Sequence, residues 1–264
     1  GPDHKGPFRH NLGKDMTSQF CPFSLAGKTI LVTGASSGIG RQTAIDCSRM
    51  GTHIVLNGRS EERLKSTLDA LDGCNHRLVA GDLNDENCLS QIADTVEPLD
   101  GAVLCAGVCM TLPVQFATRK KIASIFETNF FSQAELLRLL LKKKKLTDGA
   151  SVVAISSIGG NRSFNVGIAP YGASKAALLS WMKTVAKELA PRIRVNCVLP
   201  GQVNTPMTSN TELSEEQYES YKQTVPMKRF AETSDITPAI IFLLSDASSY
   251  ITGAEIVIDG GVTL

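Results

Sequence analysis

The sequence predicts an α/β protein: one doubly wound domain, a seven-stranded parallel sheet with helices on both faces. Three observations predict it. Short apolar runs rich in β-branched residues alternate with helical stretches, roughly every 20 to 30 residues. The first run leads into a Gly-rich turn that opens a helix. The chain has 264 residues, 42% hydrophobic and 20% charged, enough for one sizeable core.

Residues 1–15 are polar, contain Gly, Pro and His, and lack periodicity. They read as a tag or an unstructured tail, with Met16 as the native start and 16–264 as a single domain. Within that domain, about 27–110 form a cofactor half and 111–264 a catalytic and substrate half. No basic stretch with an apolar run behind it follows Met16, so no secretory leader is expected. No run approaches the length of a membrane span. The net charge of +1 points neither to nucleic acid nor to a membrane surface. The seven cysteines (21, 47, 74, 88, 105, 109, 197) are scattered without a CxxC, which fits reduced thiols in a cytoplasm. The four histidines are scattered too, so no metal site is expected. Cys105 and Cys109 are expected to be small core-facing residues.

Lys28–Thr33 reads as a buried parallel strand. The turn Gly34-Ala-Ser36-Ser37-Gly38-Ile39-Gly40 follows, then a helix to Met50. Free N–H groups and the helix dipole favour an anion there, and glycine lets backbone approach a pyrophosphate. The plainer reading is a tight strand-to-helix turn; the flanking strand and helix favour the phosphate site. Thr52–Asn57 is the second strand. Its end lies about 20 residues past the glycines, where a carboxylate would bind the adenosine ribose of NAD. Gly58 and Arg59 stand there instead, which favours the 2′-phosphate of NADP(H) over NAD(H). The alternative is that Arg59 is a solvated charge opening the helix 61–71.

His76–Ala80 is the third strand, ending in Gly81-Asp82-Leu83. Asp82 is expected at an adenine ring or, failing that, as the cap of the next helix. Ala102–Cys105 is the fourth strand, followed by Ala106-Gly107. A long helix is expected over 116–145, with Asn129 in its middle, a residue type that competes for backbone hydrogen bonds. Lys142–Lys145 reads as a solvated helix end. A dock for an acidic carrier protein, helped by Arg119, Lys120, Lys121 or Arg192, is the sharper alternative. Ser151–Ser157 is the fifth strand. Tyr171 and Lys175 sit four apart at the start of a helix running to about 190, which puts phenol and ammonium on one face. A nearby cation lowers a phenol's pKa and suits it to exchange a proton with a carbonyl or alcohol oxygen. Arg194–Leu199 is the sixth strand, closing in Pro200-Gly201-Gln-Val203-Asn-Thr205. Residues 206–230 are polar, then a helix over 234–244 and a seventh strand at 255–258.

These motifs, in this order and spacing, resemble the short-chain dehydrogenase/reductase family, in its single-domain branch. Thr33-Gly34-xxx-Gly38-x-Gly40, Asp82-Leu83, Asn129, Ser157, Tyr171-xxx-Lys175 and Pro200-Gly201 with Thr205 carry the resemblance. The resemblance implies a Rossmann-like fold and catalysis by Ser157, Tyr171, Lys175 and Asn129. Tyr171 would donate the proton. Lys175 would lower its pKa and bond the nicotinamide ribose. Ser157 would polarise the carbonyl, and Asn129 would hold a water linked to Lys175. The cofactor would lie along Gly34, Ser36, Ser37, Gly38, Ile39, Gly40, Arg59, Asp82, Leu83, Ala106, Gly107, Tyr171, Lys175, Pro200, Gly201, Val203 and Thr205. Residues 206–230 would form a mobile lid.

In type the resemblance is closest to 3-oxoacyl-carrier-protein reductases. A sugar, steroid or polyol dehydrogenase, or a non-catalytic NADP-sensing protein, are the alternatives. A small carbonyl or alcohol substrate is expected, with an acyl carrier protein as a further partner. A dimer or tetramer is expected, joined through the helices 116–145 and 172–190. The family often has Asn-Asn-Ala-Gly after the fourth strand; this chain has Leu104-Cys105-Ala106-Gly107. A hydrogen bond steadying the central strands is therefore expected to be missing. The Ser157–Tyr171 spacing is also one residue longer than is usual, within the loop 159–169.

Overall fold

The computed structural model describes residues 21–209 and 214–264. The expectations for 1–15 and Met16, and for 210–213 within the 206–230 stretch, lie outside the described residues. The elements run β1 (Thr29–Val32), α1 (Gly38–Arg49), β2 (His53–Gly58), α2 (Glu61–Leu68), β3 (Arg77–Ala80), α3 (Glu86–Thr95) and β4 (Leu99–Leu104). Then come α4 (Arg119–Phe126), α5 (Ser132–Lys142), β5 (Leu146–Ile155), α6 (Ala169–Leu189), β6 (Arg194–Pro200), α7 (Pro206–Ser209), α8 (Glu215–Thr224), α9 (Thr233–Leu244) and β7 (Glu255–Ile258).

The strands form one 7-stranded sheet in the order β3-β2-β1-β4-β5-β6-β7, every pair parallel. The winding reverses between β1 and β4, and the carboxyl edge at such a switch point is where open α/β sheets bind ligands. Period-two alternation divides the core into two layers. Leu31, Val152 and Ala154 face a layer holding Leu89 and Ile92 of α3, Leu136 and Leu140 of α5, and Leu178 and Met182 of α6. Ile30, Val32, Val153 and Ile155 face Ala44 and Cys47 of α1 and Ile236 and Ile240 of α9. Burial on both faces is why the strands read as continuous apolar runs.

Four local expectations are corrected. The helix expected over 116–145 is broken: α4 and α5 are joined by a π-turn over Glu127–Phe131, whose extra residue turns Asn129 inward. Asp82 does not cap α3; Asp85 does, accepting from Asn87 N at 2.9 Å, while Asp82 accepts from Asn84 N at 3.0 Å. Cys109 is exposed and Cys105 only half-buried, because both lie past the end of β4.

The lysine run is the fourth, in part: Lys142 and Lys144 are exposed at the end of α5 as expected, but the other two lysines are engaged. Lys143 pairs with Asp94. Lys145 Nζ donates to the carbonyls of Val96 and Asp94 at 2.8 and 3.4 Å, satisfying groups left open by the end of α3. Arg192 pairs with Asp148 at 2.9 Å. The run enters β5 at its amino end, the edge of the sheet opposite to the one where Ser156 and Ser157 emerge. A carrier docked on it would sit at the wrong edge of the sheet.

Ile240 is fully buried between α9 and the sheet. Ile240→Ala should lower unfolding free energy by about 2–5 kcal/mol, measured as a shift of the urea midpoint at constant slope.

Candidate active site

The site grows from the switch point. After β1 the chain turns through Gly34 at φ +64°, and a Cβ there would lie 3.0 Å from both N and Cα of Ala106. The glycine is therefore required by close approach as much as by its dihedral. A Cβ at Gly40 would lie 2.4 Å from the Gly34 carbonyl oxygen, so α1 packs onto the turn itself. The N-terminus of α1 carries no side-chain cap: Ser37 makes none, and the first turn has no acidic residue. Its free N–H groups and positive dipole end meet a cradle that any side chain would fill, which fits a pyrophosphate.

At the end of β2, Gly58 is closely packed by two side chains. A Cβ there would lie 3.2 Å from Ser36 Oγ and from Leu64 Cδ2. Arg59 is exposed beside it and makes no ion pair among the described residues. Asp82 is half-buried and Leu83 buried at the end of β3.

The turn after β4 is held by side chains from three other elements. Thr33 Oγ1 accepts from Cys105 N at 2.9 Å and from Ala106 N at 3.2 Å. Gln133 Nε2 donates to Ala106 O at 2.5 Å. Asn129 Oδ1 accepts from Val108 N at 2.8 Å, and its Nδ2 donates to Val108 O at 2.9 Å. The bond expected to be missing with the Asn-Asn pair is thus supplied from elsewhere. Asn129 Nδ2 also donates to Ser174 Oγ at 2.9 Å, and Ser174 donates to the Tyr171 carbonyl at 2.7 Å. The Asn129 side chain therefore ties the turn to α6.

Tyr171 and Lys175 share one face of α6 as expected. Lys175 is 4% exposed. Its ammonium donates to Ile155 O at 2.8 Å and lies 5.9 Å from the Tyr171 ring centroid. A Cβ on Gly107 would touch both Lys175 Nζ and Asn129 Oδ1 at 3.3 Å, so ammonium and amide flank that glycine. Burial pushes Lys175 down to about 8.

Tyr171 is half-buried. Burial pushes the phenol up to about 12, while Ser157 pulls less strongly the other way. In the chain by itself desolvation dominates at the phenol, and the Lys175 ammonium faces the Ile155 carbonyl at 2.8 Å. The phenol stays protonated at neutral pH, the state a proton donor needs. Ser157 follows β5 and accepts from Gly159 N at 3.0 Å.

The far wall is the loop after β6. A Cβ at Gly201 would lie 2.9 Å from Asp259 Cα. Val203 is buried and bridges to Ala231. A Cβ at Gly38 would lie 3.4 Å from Thr205 Cγ2, which brings this loop against the glycine turn. The structure thus gathers the glycine turn, Ala106–Gly107, Asn129, Ser157, Tyr171, Lys175 and Thr205 at one edge of the sheet. Thr33, Gln133 and Ser174 escaped the sequence reading as working residues. Only Gln133 left a signal, a polar side chain on the otherwise apolar face of α5.

A family model described as enoyl-(acyl carrier protein) reductase matches residues 34–263. The 3-oxoacyl-(acyl-carrier-protein) reductase of Rickettsia bellii is 35% identical over 242 residues, covering 91% of this chain and 98% of that one. This chain belongs to the short-chain dehydrogenase/reductase family. A glucose 1-dehydrogenase of Gluconobacter oxydans is 33% identical, covering 90% of this chain and 93% of that one. The NADP active-site complex of Pseudomonas aeruginosa RhlG superposes with a TM-score of 0.85 at 29% identity, covering 92% and 99% of the two chains. The protein is accordingly an oxidoreductase acting between carbonyl and alcohol with a nicotinamide cofactor. No helix among the described residues is long and apolar enough to cross a membrane.

Lys175 titrates at about 8 when folded, below its ordinary 10.5. Between those values the unfolded chain holds more protons, so this group adds stability as pH rises through the window. The stability of wild type relative to Lys175→Met should rise from pH 8 to 10.5, followed by urea unfolding at several pH values. Gly34→Ala should cost about 2 kcal/mol or more from clash and strain, read the same way.

Proposed function

We propose that this protein is an NADP(H)-dependent reductase of an apolar carbonyl compound, with a 3-oxoacyl thioester as the substrate type that fits best. The observation that carries the reading is the gathering of a protonated phenol, a serine hydroxyl and a buried ammonium beside a glycine cradle. When bound, the nicotinamide supplies the hydride that no side chain can provide. Ser157 bonds the substrate oxygen and steadies its growing negative charge. Tyr171 gives that oxygen its proton. Lys175 bonds the nicotinamide ribose and stands behind the phenol. Asn129 holds the wall, and a water at its π-turn completes a relay to Lys175. Val203 and Thr205 hold the nicotinamide amide. Arg59, with Ser36 beside Gly58, receives the 2′-phosphate.

The mouth favours an apolar substrate over a sugar or polyol. Residues 105–118 contain no charged side chain. The loop they form meets the loop before α6, where Leu112 N donates to Gly167 O at 2.6 Å. Together these loops expose Met110, Val114, Phe116, Phe164 and Val166. Arg162 in the second loop is engaged by Glu255 at 3.5 Å. A polyol site would instead carry polar side chains for its hydroxyls. Arg119, Lys120 and Lys121, exposed just past this rim, are the cations placed to meet an acidic carrier.

Self-association fits the opposite flank. A groove of about 530 Å³ runs between α3, the π-turn, α5 and α6, lined by Leu83, Leu89, Phe130, Phe131 and Trp181. Phe131 is 52% exposed, as befits a residue covered in a dimer or tetramer. A reducing cytoplasm suits the seven unpaired thiols.

NADPH should bind about 10- to 100-fold more tightly than NADH, and Arg59→Asp should erase the difference, since a charge-assisted phosphate contact is worth about 1.5–3 kcal/mol; equal affinities in wild type would remove the 2′-phosphate argument. Tyr171→Phe should lower kcat for a 3-oxoacyl thioester by about 10²–10⁴ while leaving the NADPH dissociation constant unchanged. A wild type that binds NADPH yet reduces no carbonyl would favour a sensor.

A further inference from the structure

Gln133 is fully buried, one helical turn past Asn129. Its Nε2 donates to Ala106 O at 2.5 Å and to Asn129 O at 3.3 Å. Both neighbours are carbonyl acceptors, so the amide can face them only through its nitrogen. The other amide atom, Oε1, is buried with no hydrogen-bond partner. An apolar side chain of the same length would remove that orphaned acceptor but take this donor from the Ala106 carbonyl, so the glutamine exchanges one open acceptor for another, and what it gains is the fixed direction of that peptide.

The place it holds is narrow. Ala106 packs against Gly34 on one side, and on the other a Cβ at Gly107 would press Lys175 Nζ and Asn129 Oδ1 at 3.3 Å. Ala106 N is fixed by Thr33, but its carbonyl has Gln133 as its clamp. The residues before it, Leu104 and Cys105, offer no side-chain amide.

From this we infer that Gln133 is a positioning residue of the cofactor site. It orients the Ala106–Gly107 peptide, along which the cofactor would lie. It supplies from α5 an amide that Leu104 and Cys105 lack. The inference rests on the reading of Ala106–Gly107 as part of the cofactor path.

The test uses the full chain and NADPH as the probe. Gln133→Met keeps length and apolar packing, loses the clamp, and also removes the orphaned oxygen. Its thermal midpoint should stay within a few degrees of wild type, while the NADPH dissociation constant, by fluorescence titration, rises about tenfold. Gln133→Glu adds a readout that a structural role would not move. A protonated carboxyl can donate to Ala106 O, whereas a carboxylate would face two carbonyl oxygens. Its NADPH affinity relative to wild type should therefore recover as pH is lowered from 8 to 5.

Wild-type affinity in Gln133→Met would overturn the inference. So would a loss of affinity that merely tracks unfolding, with no recovery of Gln133→Glu at low pH. If wild type itself bound neither NADPH nor NADH, the cofactor path would be wrong and the inference would fall with it, a result distinct from the first two.

Discussion

The close approach of two backbones, Gly34 after β1 and Ala106 after β4, is the constraint on which the rest depends. These strands are neighbours at the point where the winding of the sheet reverses, so their outgoing turns must share one narrow space. The contact leaves no room for a Cβ on Gly34, and α1 presses on the same turn through Gly40. Three side chains then hold the second turn against the first: Thr33 from β1's end, Asn129 from the π-turn, and Gln133 from α5. A π-turn is a costly irregularity in a helix. Here it rotates Asn129 inward, where every polar atom of its amide is used.

The electrostatics follow from the same crowding. Packing Lys175 against Gly107 and the Ile155 carbonyl strips it of water, which draws its pKa to about 8. The same burial drives the Tyr171 phenol to about 12. Desolvation disfavours the charged form of each, so the two shifts have opposite sign. The result is a phenol that keeps its proton at neutral pH and an ammonium poised near it, the resting state from which a carbonyl can be protonated. In the chain alone, burial dominates at the phenol.

Much of this was legible from local pattern. The apolar runs of β1, β2, β5 and β6, the Gly34–Gly40 turn and the Tyr171–Lys175 spacing each follow from short-range rules of periodicity and helix geometry. That no carboxylate stands at positions 58 and 59 is visible in one dimension. Elsewhere the reading failed for physical reasons. A helical pattern continues smoothly through a π-turn, since one added residue hardly disturbs the apolar stripe, so 116–145 read as one helix. Lys145 looked solvated because its partners, the carbonyls of Asp94 and Val96, are some 50 residues away. Cys109 looked like core because its hydrophobicity resembles that of the strand before it, although the strand ends at Leu104. Gln133 was passed over because an amide acquires meaning only from what it faces.

Residue order by itself determined the doubly wound architecture, and it singled out the glycine turn and the Tyr171–Lys175 pair from which the proposed site is built, since each rests on neighbours within a turn or a strand. Only the tertiary structure decided which side chains clamp the Ala106–Gly107 turn, which edge of the sheet the lysine run occupies, and in which direction each pKa moves. Those outcomes depend on burial and on contacts between elements far apart in the chain, and no local pattern encodes either.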